Sequence, residues 1–173
     1  GNEEFRAASL MKLPVAMELF KAQEKGLINL DAKVRLKKEW LNDGYGDLYK
    51  KGVGYELTLR ELVEILLVDY DNTAMRGVIE STTNLELDDR ALGALDVEFS
   101  QTESGEISIG SRSYGSFLKC LYFACYNTKE DSQEILRLLS ETNFDNRIVA
   151  GVPKNITVSH KIGVFNNQVQ GDC

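Results

Sequence analysis

The stretch TLRELVEILLVDY, residues 58–70, narrows the folds open to this chain more than any other feature. Thr58 with Glu61 three residues on forms a capping box, in which a hydroxyl and a carboxylate satisfy backbone donors at a helix start. Behind it, Leu59, Leu62, Val63, Leu66 and Leu67 make an apolar stripe too wide for a helix lying on a surface. Such a helix is internal, so other elements have to cover it.

Further helices are written in the same period. Residues 9–25 carry Leu10, Leu13, Met17 and Phe20 at helical spacing and end at Gly26, although Pro14 removes one backbone donor from that run. YDNTAMRGVIEST starts a helix near Asn72 or Thr73, and LELDDRAL reads as a short helix or turn. SRSYGSFLKCLYFACYN, nearly apolar and so deeply packed, and KEDSQEILRLLSE supply two more helices. Residues 29–56 read as turns and loop, and residues 95–110 as irregular or partly extended. Only near the end does the period fall to two. In NITVSHKIGVF, Ile156, Val158, His160 and Ile162 alternate with Thr157, Ser159, Lys161 and Gly163, which predicts a strand. NN then gives a turn, and QVQGDC pairs back as a hairpin partner.

The 173 residues suffice for one well-buried domain, read here as 1–173, and 43% hydrophobic with 27% charged residues is ordinary for a globular chain. A net charge of −7 argues against nucleic acid as a partner, because phosphate binding needs a basic face. The lysines of RLKKEW and LYKKG are interspersed with acids and read as solvated surface. No run approaches the ~18 apolar residues of a membrane span. No signal peptide is visible in GNEEFRAAS. The single histidine, His160, and the spacing of Cys120, Cys125 and Cys173 offer no metal site, and no cofactor is expected. On one continuous helix Cys120 and Cys125 would face different sides, so both read as buried small apolar residues rather than a disulfide.

Candidate chemistry begins at SLMK. Ser9 and Lys12 stand three apart on one helix face, where a desolvated lysine of depressed pKa could take the proton of a serine hydroxyl. The same spacing also fits a Ser N-cap followed by a solvated lysine. Asp71-Asn72 fits a helix cap, Lys161 a solvent-facing strand charge, and His160, on the opposite strand face, a packing role.

SLMK at 9–12, YDN at 70–72 and HKIG at 160–163, in that order, resemble the signature of the penicillin-recognising serine hydrolases, the class A β-lactamases and D-alanyl-D-alanine peptidases. LTLRELVEILLVDYDNTA and VPKNITVSHKIG resemble the flanking helix and strand of that family. The resemblance covers nearly the whole chain. It implies an α+β fold of the β-lactamase/transpeptidase type, here mainly the helical part plus one or two strands of an antiparallel sheet. The family sheet has five strands, so the chain reads as a central fragment, incomplete at both ends, completed by a further segment or partner.

The resemblance also assigns roles. Ser9 is the acylated nucleophile and Lys12 its proton acceptor or relay. The N–H groups of Ser9 and Val164 form an oxyanion hole. Asn72 binds the substrate amide and holds Lys12. Lys161 offers positive potential to a substrate carboxylate and helps shuttle a proton to the leaving nitrogen, and Gly163 leaves room along the strand edge. The implied partner is a β-lactam or a cell-wall peptide, and the implied location is periplasmic or extracellular. Three departures stand out. Tyr70 replaces a serine, as proton shuttle or as filler. Ile162 replaces the hydroxyl residue that binds a β-lactam carboxylate. The Glu-x-x-Leu-Asn loop of the deacylating glutamate is not found, ESTTN at 80–84 lying too close to Asn72 and Glu103 and Glu106 having the wrong neighbours. The activity expected is acylation at Ser9 and hydrolysis, with alternatives in a slow-deacylating peptidase-like enzyme or a non-catalytic binding homologue.

Overall fold

A computed structural model describes residues 3–85, 91–95, 97–103, 105–165 and 169–173. After strand β1 (Glu4–Arg6) a 3-10 turn, Ala8–Met11, leads into α1 (Lys12–Glu24). Pro14 falls in the first turn of α1, where its missing N–H would have had no intrahelical partner, so it conflicts with nothing. Gly26, at φ +69°, ends α1 in a Schellman arrangement, with Gly26 N donating to Gln23 O and Leu27 N to Ala22 O.

Residues 29–56 are more regular than turn chemistry alone suggests. They hold β2 (Lys33–Arg35) and the 3-10 turns Lys38–Trp40 and Leu48–Lys51, and β2 pairs antiparallel with β3 (Glu56–Thr58), Val34 opposite Leu57. Three-residue strands are too short to display an alternation.

The helix α2 (Leu59–Val68) starts on the expected capping box: Glu61 N donates to Thr58 Oγ1, and Thr58 N to Glu61 Oε2 at 2.6 Å. It packs against α1, α3 (Asn72–Thr83) and α6 (Lys129–Ser140), and the five residues of its stripe are buried. Thr58→Ala, which removes the cap, is expected to cost about 1 kcal/mol in urea unfolding.

A short helix α4 (Ala91–Ala94) covers part of LELDDRAL; residues 86–90 of that expectation lie outside the described residues. Residues 95–110 include β4 (Phe99–Gln101) and β5 (Ile107–Gly110), which join β1 in an antiparallel sheet ordered β1-β5-β4, with Ile109 opposite both Phe5 and Phe99. Helix α5 (Ser111–Phe123) is less buried than its composition suggests. Tyr114, Phe117, Cys120 and Leu121 face inward, while Tyr122 and Phe123 are 70% and 67% exposed. At its end Ala124 takes φ +54°, so that Cys125 N reaches back to Cys120 O. That reversal corrects the expectation of two separate buried thiols. The chain does not continue as a helix, the Cα atoms lie 5.1 Å apart, the sulfurs pair as a disulfide, and Cys125 is exposed.

The terminal hairpin is β6 (Ile162–Phe165) and β7 (Val169–Asp172), Gly163 opposite Gly171. Lys161 and Cys173 extend the pairing by exchanging both backbone hydrogen bonds, at 2.9 and 3.1 Å. The expected strand over 156–163 therefore starts only at Ile162; Ile156 N instead closes a turn onto Pro153 O. The NN turn falls within 166–168, outside the described residues. The fold is α+β, with a helical core around α2 and, among the described residues, three small antiparallel sheets where one was anticipated.

Candidate active site

The turn that carries Ser9 is entered through Ala8 at φ +44°, and Tyr70 on the facing segment has φ +61°. Non-glycine residues held in this region cluster at functional sites, because the surroundings must enforce the strain. Ser9, half-buried, lines a cleft of about 450 Å³ together with Tyr70, Asn72, Ile162 and Val164. That volume is in the range of small-molecule sites.

Lys12, at the start of α1, is 3% exposed. Its ammonium donates to Tyr70 O and, at 2.9 Å, to Asn72 Oδ1. Burial lowers its pKa to about 8, against the pull of the Asp71 carboxylate in the other direction. The direct Ser9 to Lys12 bond suggested by their spacing is not formed, because these two acceptors draw the amine. Ser9 is not a helix cap either; α1 is preceded by Met11, with no side-chain cap.

Asp71 and Asn72 divide the two roles that the sequence left open. Asp71, fully buried, caps α3 by accepting Ala74 N at 2.8 Å and ties down the 44–48 loop by accepting Leu48 N at 2.9 Å. Asn72 N donates to Tyr45 O at 3.0 Å, and its side chain reaches Asn42 Oδ1 at 3.4 Å while holding Lys12. Gly46, at φ +86°, lies so close to Asp71 that a Cβ there would overlap the carboxylate.

On the other wall the structure departs from expectation. Lys161 is 0% exposed and precedes the strand; its Nζ donates to Ile162 O at 3.0 Å and sits 3.2 Å from the centre of the Tyr70 ring. Burial, with Lys12 nearby, drives its pKa well below the ordinary lysine value, and Asp172 opposes this only in part. Lys161 is thus neither a solvent-facing charge nor a cation offered to the cleft, because Tyr70 covers it. The Tyr70 hydroxyl accepts Ile162 N–H at 3.1 Å, and burial raises the phenol's pKa, so it is protonated at neutral pH. Gly163 also serves differently. A Cβ there would stand 3.0 Å from Ala7 O and Leu10 Cγ, so the missing side chain makes room for the Ser9 turn rather than for a ligand. Val164 is partly exposed at the cleft.

Sequence reasoning missed the aromatic wall, in which Phe144 packs on Tyr70 (4.5 Å between ring centres) and on Tyr45 (6.0 Å). It missed Arg147 as a lining residue and Asp172 as the partner of His160, whose Nδ1 lies 2.7 Å from Asp172 Oδ1. Glycines in NDGYGD hinted at a constrained turn; no pattern pointed to Arg147. None of the described lining residues is a carboxylate. Glu80 faces Lys37 and Trp40, and Glu106 pairs with Arg6.

A helical layer carrying Ser9, Lys12 and Asn72 against a β-hairpin is the arrangement of the β-lactamase-like serine hydrolases. The sequence model of the beta-lactamase enzyme family matches residues 1–173, and the chain belongs to that family. No curated protein sequence matches the chain. Among solved structures it is similar to a β-lactamase from Sphaerobacter thermophilus (TM-score 0.86, 24% identity, covering 95% of this chain and 66% of that one). It is similar to PBP-A (0.83, 20%, 94% and 64%) and to a variant of the last common ancestor of Gram-negative class A β-lactamases (0.87, 23%, 99% and 69%). The chain thus spans about two thirds of the length of these structures. Among the described residues no helix is long and apolar enough to cross a membrane.

Proposed function

We propose that Ser9 is acylated by a β-lactam or a related amide such as a cell-wall peptide, and that the acyl-enzyme is then hydrolysed. The observation that carries this reading is Lys12: a buried amine with a pKa near 8, fixed by Asn72 Oδ1, three residues from a serine that lines the cleft. At neutral to slightly alkaline pH part of this amine is uncharged and able to accept the serine proton as the hydroxyl attacks a carbonyl. The N–H groups of Ser9 and Val164 would receive the developing oxyanion. A protein of the same fold, a PBP-A mutant, is known as an acyl-enzyme complex with penicillin-G. By the same family reasoning the protein acts in the periplasm or outside the cell.

Slow deacylation, the peptidase-like variant, is favoured by one feature: no described residue of the cleft lining is a carboxylate able to activate water. Intact-protein mass spectrometry after incubation with penicillin tests both. The expected result is an adduct on the parent that persists for many minutes and is absent from Ser9→Ala. Rapid drug loss without an adduct would indicate efficient turnover, and neither drug loss nor adduct would reduce the protein to a binding homologue.

A further inference from the structure

Helix α5 differs from the rest of the chain in charge. The protein carries 27 acidic against 20 basic side chains, yet SRSYGSFLKCLYF, residues 111–123, holds no acid and two cations, Arg112 and Lys119. Its inner face is fixed by packing: Tyr114, Phe117, Cys120 and Leu121 are buried, and the Tyr114 hydroxyl donates to Leu10 O, in the Ser9 turn, at 3.1 Å. The outer face is thereby fixed as well. Arg112, Gly115, Ser116, Lys119, Tyr122 and Phe123 recur at helical spacing and are all exposed. Neither cationic side chain has a partner among the described residues. At the end of this stripe Tyr122 and Phe123, 70% and 67% exposed, meet edge to face with ring centres 5.1 Å apart. They do not sit on a fraying terminus. Directly behind them Ala124, at φ +54°, reverses the chain, Cys125 N returns to Cys120 O at 3.1 Å, and the Cys120–Cys125 disulfide closes the reversal. The result is a braced apolar knuckle at the end of a cationic stripe. Aromatic rings settle at the boundary between lipid headgroups and acyl chains, and arginine or lysine beside them meets lipid phosphate. A fluid bilayer accepts such a knuckle without a matching pocket, which a protein partner would have to supply.

We infer that the outer face of α5 docks on the surface of a bilayer containing anionic lipid, with Tyr122 and Phe123 entering the headgroup boundary and Arg112 and Lys119 on the phosphates. The net charge of −7 does not oppose this contact. At physiological ionic strength charges are screened over about 8 Å, so lipid facing α5 senses its two cations rather than the acids on other faces. The helix lies on the membrane and does not cross it, and the docking is independent of the chemistry at Ser9.

Co-sedimentation with vesicles tests this, using phosphatidylcholine alone and phosphatidylcholine with about 30% phosphatidylglycerol at physiological salt. The parent is expected to partition onto the anionic vesicles more strongly than onto the neutral ones. The double variant Tyr122→Ser/Phe123→Ser lowers partitioning onto both by about tenfold or more. Arg112→Gln and Lys119→Gln each weaken binding to the anionic vesicles by about fivefold, and together they abolish the preference for them. All four side chains are exposed, and an unchanged urea midpoint excludes unfolding as the cause. In Phe123→Trp the added fluorescence should shift to the blue on anionic vesicles, which reports entry of this position into the boundary. Ser9→Ala should bind as the parent does, so failure of the acylation reading leaves this result untouched. A parent that stays in the supernatant with both vesicles overturns the proposal. So does undiminished binding by the aromatic variant, and an unchanged preference in the charge variant overturns the anionic selectivity. If the parent instead self-associates in sedimentation velocity, and the aromatic variant does not, the face is a contact between copies and the bilayer is overturned as its occupant.

Discussion

Lys12→Met is expected to slow acylation of Ser9 by about three orders of magnitude, the range in which a positioned general base acts. Methionine fills a similar volume but accepts no proton, so the serine must lose its proton to water. The pH profile separates this from a packing effect. A lysine with its pKa lowered to about 8 is protonated below that value and neutral above it. The parent's acylation rate should therefore rise with pH, reach half its plateau near 8, and flatten beyond. The variant should show no limb there. Stopped-flow acylation by a chromogenic β-lactam across this range measures both; a parent profile flat through pH 8 would remove Lys12 as the base.

Gly46→Ala is expected to destabilise the fold by about 3 kcal/mol, large for a single methyl group. Two costs add. The backbone at φ +86° suits glycine and strains any L-residue with a Cβ, and the new carbon would overlap the Asp71 carboxylate. Asp71 cannot give way without releasing the N–H groups of Leu48 and Ala74, both of which it satisfies in a buried setting. Urea unfolding measures the loss. An effect no larger than that of Gly54→Ala, which has positive φ but open space around it, would show that backbone strain alone is at work.

The sequence was most informative where side chains report on their own local geometry. The capping box, the buried stripe of α2 and the start of α3 at Asn72 each rest on contacts within a few residues, and each is present. The grouping of Lys12, Tyr70 and Asn72 was legible only through the family resemblance, since nothing local links segments some sixty residues apart. What stayed hidden depends on packing between distant segments. Period-two alternation over 156–163 suggested a longer strand, but Lys161 turns inward beneath Tyr70, and its surroundings come from α1 and β7. Arg147 and Asp172 follow no motif, and their meeting depends on how the hairpin lies against the preceding segment. The Cys120 to Cys125 pairing was missed because the reversal rests on alanine at 124, where glycine would have announced it.

The bare backbone of Gly163 against Leu10 has a mechanical consequence. With no side chain interposed, the hairpin and the serine turn are in van der Waals contact and have little room to slide. The gap between the Ser9 turn and the neighbouring strand is therefore a machined tolerance, set by atomic radii rather than by the hinge of a loop. A guest too thick for that gap cannot widen it without unseating Leu10 from the helical core.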